Sequence, residues 1–131
     1  MPEHNPIVRN SFLAGEDLTG KAYHIVTLAA ADSTQVNPWR VALCDASDVP
    51  TGVLLPAPGE ENQQAVTACL AHHSMIAVIV GAAGVTAGWV GSDASGQLVV
   101  KTTGQNAIGR VARTYASGSY APVLIDARIV P

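Results

Sequence analysis

Alternation of apolar and polar positions dominates this chain. Between Lys21 and Leu28, Tyr23, Ile25 and Thr27 alternate with His24, Val26 and Leu28. A period of two with frequent β-branched residues predicts a strand. A second strand is expected over Trp39 to Cys44, with Pro38 at its start, where a missing N–H does least harm. Gly52 to Leu55 is short. Gln64 to Ala71 places Val66, Ala68 and Leu70 on one side and Ala65, Thr67 and Cys69 on the other. Met75 to Val80 is apolar at every position, which predicts a strand covered on both faces. Val85 to Val90, Gln97 to Thr102, Ala107 to Tyr115 and Tyr120 to Ile129 complete the series. Gly, Pro, Asn, Asp and Ser punctuate these runs, and Gly91 to Gly96 reads as a hairpin loop. The one helical candidate is a single turn at Ala29 to Asp32, inside the loop that runs to Asn37. Short strands spaced in this way predict an all-β fold, a single-domain sandwich or barrel of short antiparallel strands.

The first residues break the pattern. Residues 1–12, MPEHNPIVRNSF, carry two prolines and no periodicity. They are expected to form an extended N-terminal arm, neither helix nor strand, ahead of a β domain over residues 13–131.

Composition sharpens this picture. The chain has 131 residues, enough for one domain with a core of its own, and 48% of them are hydrophobic against 13% charged. That balance excludes a disordered chain. Much of the apolar content is Ala and Val, however, and aromatics make up 5%. Burying Ala removes little area from water, and the return is about 25 cal/mol per Å². A thin core with few surface charges points to burial against other chains, hence to oligomerisation or assembly. The formal net charge is −3, with no basic stripe of the kind nucleic acid requires. Asp and Glu gather before Asn62, while Lys101, Arg110, Arg113 and Arg128 lie in the second half. These are either solvated faces or complementary faces on neighbouring subunits. Cys44 and Cys69 make neither a disulfide framework nor a zinc spacing. With no secretory signal in view, both thiols are expected to be buried small hydrophobes in a reducing cytoplasm.

Candidate chemistry is sparse. The stretch from Met75 to Val100 invites a membrane span, which needs roughly 20 consecutive apolar residues. Gly81, Gly84, Gly88 and Gly91 interrupt it, and no Lys or Arg flanks the Gly84-x-x-x-Gly88 pair, so no span is expected. The same glycines do not form G-x-G-x-x-G between a strand and a helix, so no dinucleotide site is expected. His72 and His73 are neighbours on an extended chain and point to opposite faces, which prevents them from sharing a metal easily. Ser74 lacks a nucleophile elbow. Glu16-Asp17 and Glu60-Glu61 sit in turn-rich segments without the apolar pocket that a general acid needs. Asp93 reads as a turn former, and Arg110 and Arg113, three apart, fall on opposite faces of a strand. No catalytic residue, cofactor or metal site is expected. Trp39 and Trp89 are either core anchors or hot spots of a subunit interface. Val78, central to the doubly apolar run, is a candidate either for that interface or for burial between sheet faces.

The order of turns resembles a known family. After the arm come Gly15-x-Asp17-Leu18 and a strand, then Gly52-Val53, Gly59-Glu60 and an alternating strand. The Gly84-Val85-x-x-Gly88 and Gly91-x-Asp93-x-x-Gly96 turns follow, then Ile108-Gly109-Arg110-Val111-Ala112 and the closing Val123-Leu124-Ile125. This resembles the small head decoration (capsid cement) proteins of tailed bacteriophages, loosely from Gly15 to Ile125. The resemblance implies a β-rich virion protein, commonly a homotrimer, made in the host cytoplasm. It would bind the major capsid protein on the outer surface of an expanded shell and reinforce it. Arm residues Ile7, Val8, Arg9 and Phe12 would fix the protomer to the shell or to a neighbour. Two regions depart from the pattern, Ala29 to Trp39 and Pro56 to Gln64. A small-ligand or carbohydrate-binding β-barrel, with the tryptophans stacking on ligand, is the alternative from another class.

Overall fold

The computed structural model describes residues 9–56, 61, 63–71 and 73–131. Among these, the backbone forms ten strands and no helix: β1 (Arg9–Ala14), β2 (Ile25–Ala29), β3 (Arg40–Leu43), β4 (Gly52–Leu54), β5 (Gln64–Cys69), β6 (Met75–Ile79), β7 (Gly88–Ser92), β8 (Leu98–Val100), β9 (Asn106–Val111) and β10 (Tyr120–Ile129). The first five close into a barrel in the order β1-β3-β2-β4-β5, and the last five form a sheet in the order β6-β10-β9-β7-β8. The all-β expectation holds. Residues 29–32 form no helical turn.

Period-two patterning explains how two bodies share one chain. Inward-facing positions of the barrel strands supply Val26, Val41, Leu54 and Ala65, and with Ala14 and Leu18 these form one buried cluster that fills the barrel. The alternate positions, among them Ile25, Val53 and Ala68, turn outward and join Val78, Val90, Leu98, Val123 and Ile125 of the sheet in a second, larger cluster. The barrel wall is thus apolar on both faces. Polar bonds tie the same junction. Gly96 O accepts from Ile25 N at 2.7 Å, and Tyr23 O from Ile79 N at 3.1 Å. Lys101, 6% exposed, donates through Nζ to Ala46 O at 2.9 Å, so its charge is buried but not left without an acceptor.

The structure corrects three expectations. Residues 9–12 are strand, not arm: β1 pairs with β5 from Arg9↔Ala68 to Leu13↔Gln64 and runs parallel to β3 at Leu13↔Arg40. Barrel closure demands a strand between β3 and β5, and this recruits Ser11 and Phe12 despite their weak patterning. Second, β6 is not covered on both faces. It lies at the sheet edge with Met75 and Ala77 exposed while Ile76 and Val78 are buried. Third, the glycine-interrupted run begins its strand at Gly88, three residues later than expected, because residues 81–84 form a turn and Val85 makes only an isolated bridge to Tyr115.

Proline in the long closing strand has a local reason. Pro122 faces Ala77 of β6, while the β10–β9 register starts two residues later at Leu124↔Arg110. Its missing N–H therefore interrupts no bond to β9.

Candidate assembly surfaces

The face of the sheet turned away from the barrel carries the features that stand out from a solvated surface. Register places Trp89 beside Arg110, Arg110 beside Leu124 and Leu124 beside Met75, a row across β7, β9, β10 and β6. Next to it lie Pro122 opposite Ala77 and Tyr120 opposite Ile79. Met75 is 57% exposed and Tyr120 56%. Tyr120 stacks edge-on against Tyr23, with ring centroids 5.3 Å apart. A β-bulge between Ile125 and Arg128 brings Asp126 into reach of two arginines. Arg128 donates from Nε to Asp126 Oδ1 at 2.8 Å, its Nη2 is also 2.8 Å from that oxygen, and Arg110 Nη2 stands 4.0 Å from Oδ2. Both guanidinium groups approach the Trp89 ring, at 5.2 Å for Arg110 and 5.8 Å for Arg128. Such contacts contribute about 0.5–1 kcal/mol each at an exposed site. Two cations against one carboxylate leave the face positively charged.

The barrel presents an apolar end. Leu28 faces Val41 in the β2–β3 register, and Trp39 lies two residues before Val41. Both continue the inward-facing rows beyond the packed interior, Leu28 at 51% exposure and Trp39 at 57%. Close by, Asp32 N donates to Pro38 O, and Glu61 pairs with Arg40 at 3.9 Å. Hydrogen bonds from Thr34 hold the Asp32 carboxyl below its ordinary range, so it stays ionised.

These positions sort the residues singled out from sequence. Trp39 is exposed at the barrel end, and Trp89 is half-buried on the sheet face, beneath the arginines. The two do not meet. Val78 is not at a surface: it is 0% exposed within its own chain's larger cluster. Its neighbours Ala77 and Ile79 occupy the side of β6 turned outward, as alternation requires. Phe12 packs half-buried against the barrel core. Arg9 begins β1, and Ile7 and Val8 lie outside the described residues, as do His72, Gly59 and Glu60. His73 is exposed with φ of 64°. Ser74 is buried and its carbonyl accepts from Ile125 N. Asp93 is the expected turn former, its Oδ1 accepting from Ser95 N at 2.8 Å and Gln97 N at 3.0 Å. Arg113 stacks on Tyr115, apart from Arg110. Sequence reasoning missed the Asp126–Arg128 pair because a bulge, invisible in the pattern, sets it.

Two shallow grooves accompany these faces. One of about 420 Å³ runs along the β6 edge beside Tyr23, Leu55, Val66 and Met75. Another of about 370 Å³ lies among Ala82, Val85, Val100 and Tyr115. Neither tryptophan lines either groove. Among the described residues no group of three or more His, Cys, Asp or Glu side chains could hold a metal ion, and no helix is long and apolar enough to cross a membrane.

Comparison with known proteins adds a likeness of fold. No family model matches the chain, and no curated protein does. Among solved structures, the head fiber gp8.5 N base of bacteriophage phi29 superposes with a TM-score of 0.73 over 95% of this chain and 98% of that one, at 13% sequence identity. The barrel and sheet described above are therefore shared with that fiber base, a likeness of fold.

Proposed function

We propose that this protein is a structural component of a bacteriophage virion that binds the outside of the capsid shell and reinforces it. One observation carries the reading: near-complete superposition, in both directions, on a phage head protein. The turn pattern from Gly15 to Ile125 and an apolar, sparsely charged composition support it. The mechanism is adhesive and non-catalytic. Symmetry repeats a modest contact to the major capsid protein many times, and simultaneous engagement gives avidity that no single contact has. In this reading the protein assembles as a homotrimer. The segment that leads into β1, with Ile7 and Val8, and Arg9 at its start, contacts the shell, while Phe12 anchors that segment to the barrel.

Purified protein mixed with bare expanded capsids should cosediment to a saturating stoichiometry and raise the temperature at which the shells rupture. Shells that bind none of it at micromolar concentrations would refute the reading.

A further inference from the structure

We propose that the outward face of the sheet docks the barrel end of a second copy of this chain, in a head-to-tail contact. The inference builds on the reading of the chain as an assembly component and assigns the surfaces.

Charge is divided between the two bodies. Residues 1–73 carry three basic and eight acidic side chains, a net of −5, whereas residues 74–131 carry four basic and two acidic, a net of +2. On the sheet face, Arg110 and Arg128 are each about half exposed and share the nearly buried Asp126. One positive charge thus remains on a surface whose other large exposed side chains, Met75 and Tyr120, carry no charge. The barrel end offers the complement: exposed Leu28 and Trp39 beside the ionised Asp32 and the 63% exposed Glu61 side chain, with Arg40 between them. Apolar surface meets apolar surface, and a net positive rim meets a net negative one. Such matching steers association and fixes its register.

Two-fold pairing of like faces is disfavoured on the same grounds. Sheet against sheet would bring two arginine pairs together, and barrel end against barrel end would oppose two acidic rims. A head-to-tail contact uses both faces of every copy and closes into a ring when the rotation permits.

Mixing variants separates these geometries. Arg110→Glu/Arg128→Glu spoils the sheet face, and Leu28→Ser/Trp39→Ser spoils the barrel end. Each alone, checked for its fold by circular dichroism, should fall to the protomer mass in light scattering where the wild-type chain assembles. Mixed one to one, they should form a species of twice the protomer mass, because the intact barrel of the first meets the intact sheet of the second. Wild-type assembly should also weaken at least tenfold between 50 mM and 500 mM salt, as screening predicts. If the mixture stays at the protomer mass while the wild type assembles, the contact is not head-to-tail and the proposal fails. If the wild type is a protomer at every concentration yet still binds shells, the proposal fails and the shell-binding reading stands.

Discussion

Cys44 lies fully buried where the barrel meets the sheet, with Ser92 Oγ donating to its carbonyl at 3.1 Å. Burial pushes its thiol up to about 11 from the ordinary 9.0. The unfolded chain releases this proton first, so the native state's advantage is complete below pH 9 and is lost as pH rises towards 11. Cys44 should therefore resist iodoacetamide at pH 8 in the folded protein while half-buried Cys69 reacts. Equal labelling of both thiols, read by mass spectrometry, would contradict its burial. Stability to urea should fall between pH 9 and 11, and a Cys44→Ala background should flatten part of that fall. Gly109 shows the opposite use of a small residue, since a Cβ there would collide with the Leu124 carbonyl oxygen of the neighbouring strand. Its appearance in the sequence as a break in an apolar run hid a requirement for close strand approach.

At the scale of elements, β1 is the consequential revision. Its ladder to β5 spans Arg9 to Leu13, and without it the barrel would have open edges at β3 and β5. Removing residues 1–8 leaves every described β1 pair in place. Removing residues 1–12 strips four of the five pairs to β5 and takes Phe12 from the core. The longer truncation should cost at least about 2 kcal/mol of stability, in line with deleting a large core side chain, and the shorter one less than about 0.5 kcal/mol, as for changes away from packed features. Matched denaturation midpoints for the two truncations would show that β1 does not close the barrel. The separation also isolates the proposed shell contact from folding, because the shorter truncation removes Ile7 and Val8 and spares the strand.

The two five-stranded bodies should unfold as one cooperative unit, because the larger cluster draws on both. Ile25, Val53 and Ala68 reach it from the barrel, and Val78, Val123 and Ile125 from the sheet. Val78→Asp would bury a carboxylate among the apolar side chains of the larger cluster, at a cost of several kcal/mol. That is comparable with the whole stability of a domain this size. The substitution should unfold both bodies together, with backbone dichroism and tryptophan fluorescence changing in one step, since Trp39 reports on the barrel and Trp89 on the sheet. A variant that kept a folded barrel beside an unfolded sheet would mean that the bodies are independent.

Sequence alone determined the all-β class and most strand positions, because period-two burial and turn chemistry are local properties. Tyr120 to Ile129 was legible as one strand with the observed bounds, since the buried Ala121, Val123 and Ile125 alternate with the less buried Tyr120, Pro122 and Leu124. Tertiary structure decided the rest. Whether Met75 and Ala77 face protein or solvent depends on the strand order, and β6 at an edge leaves them exposed. Whether residues 9–12 form a strand depends on the demand of β3 and β5 for a partner. The clustering of Trp89, Arg110, Asp126 and Arg128 depends on register and a bulge, which bring together residues up to 39 positions apart. Alternation states that a strand has two faces; only the packing of the other strands decides what each face meets.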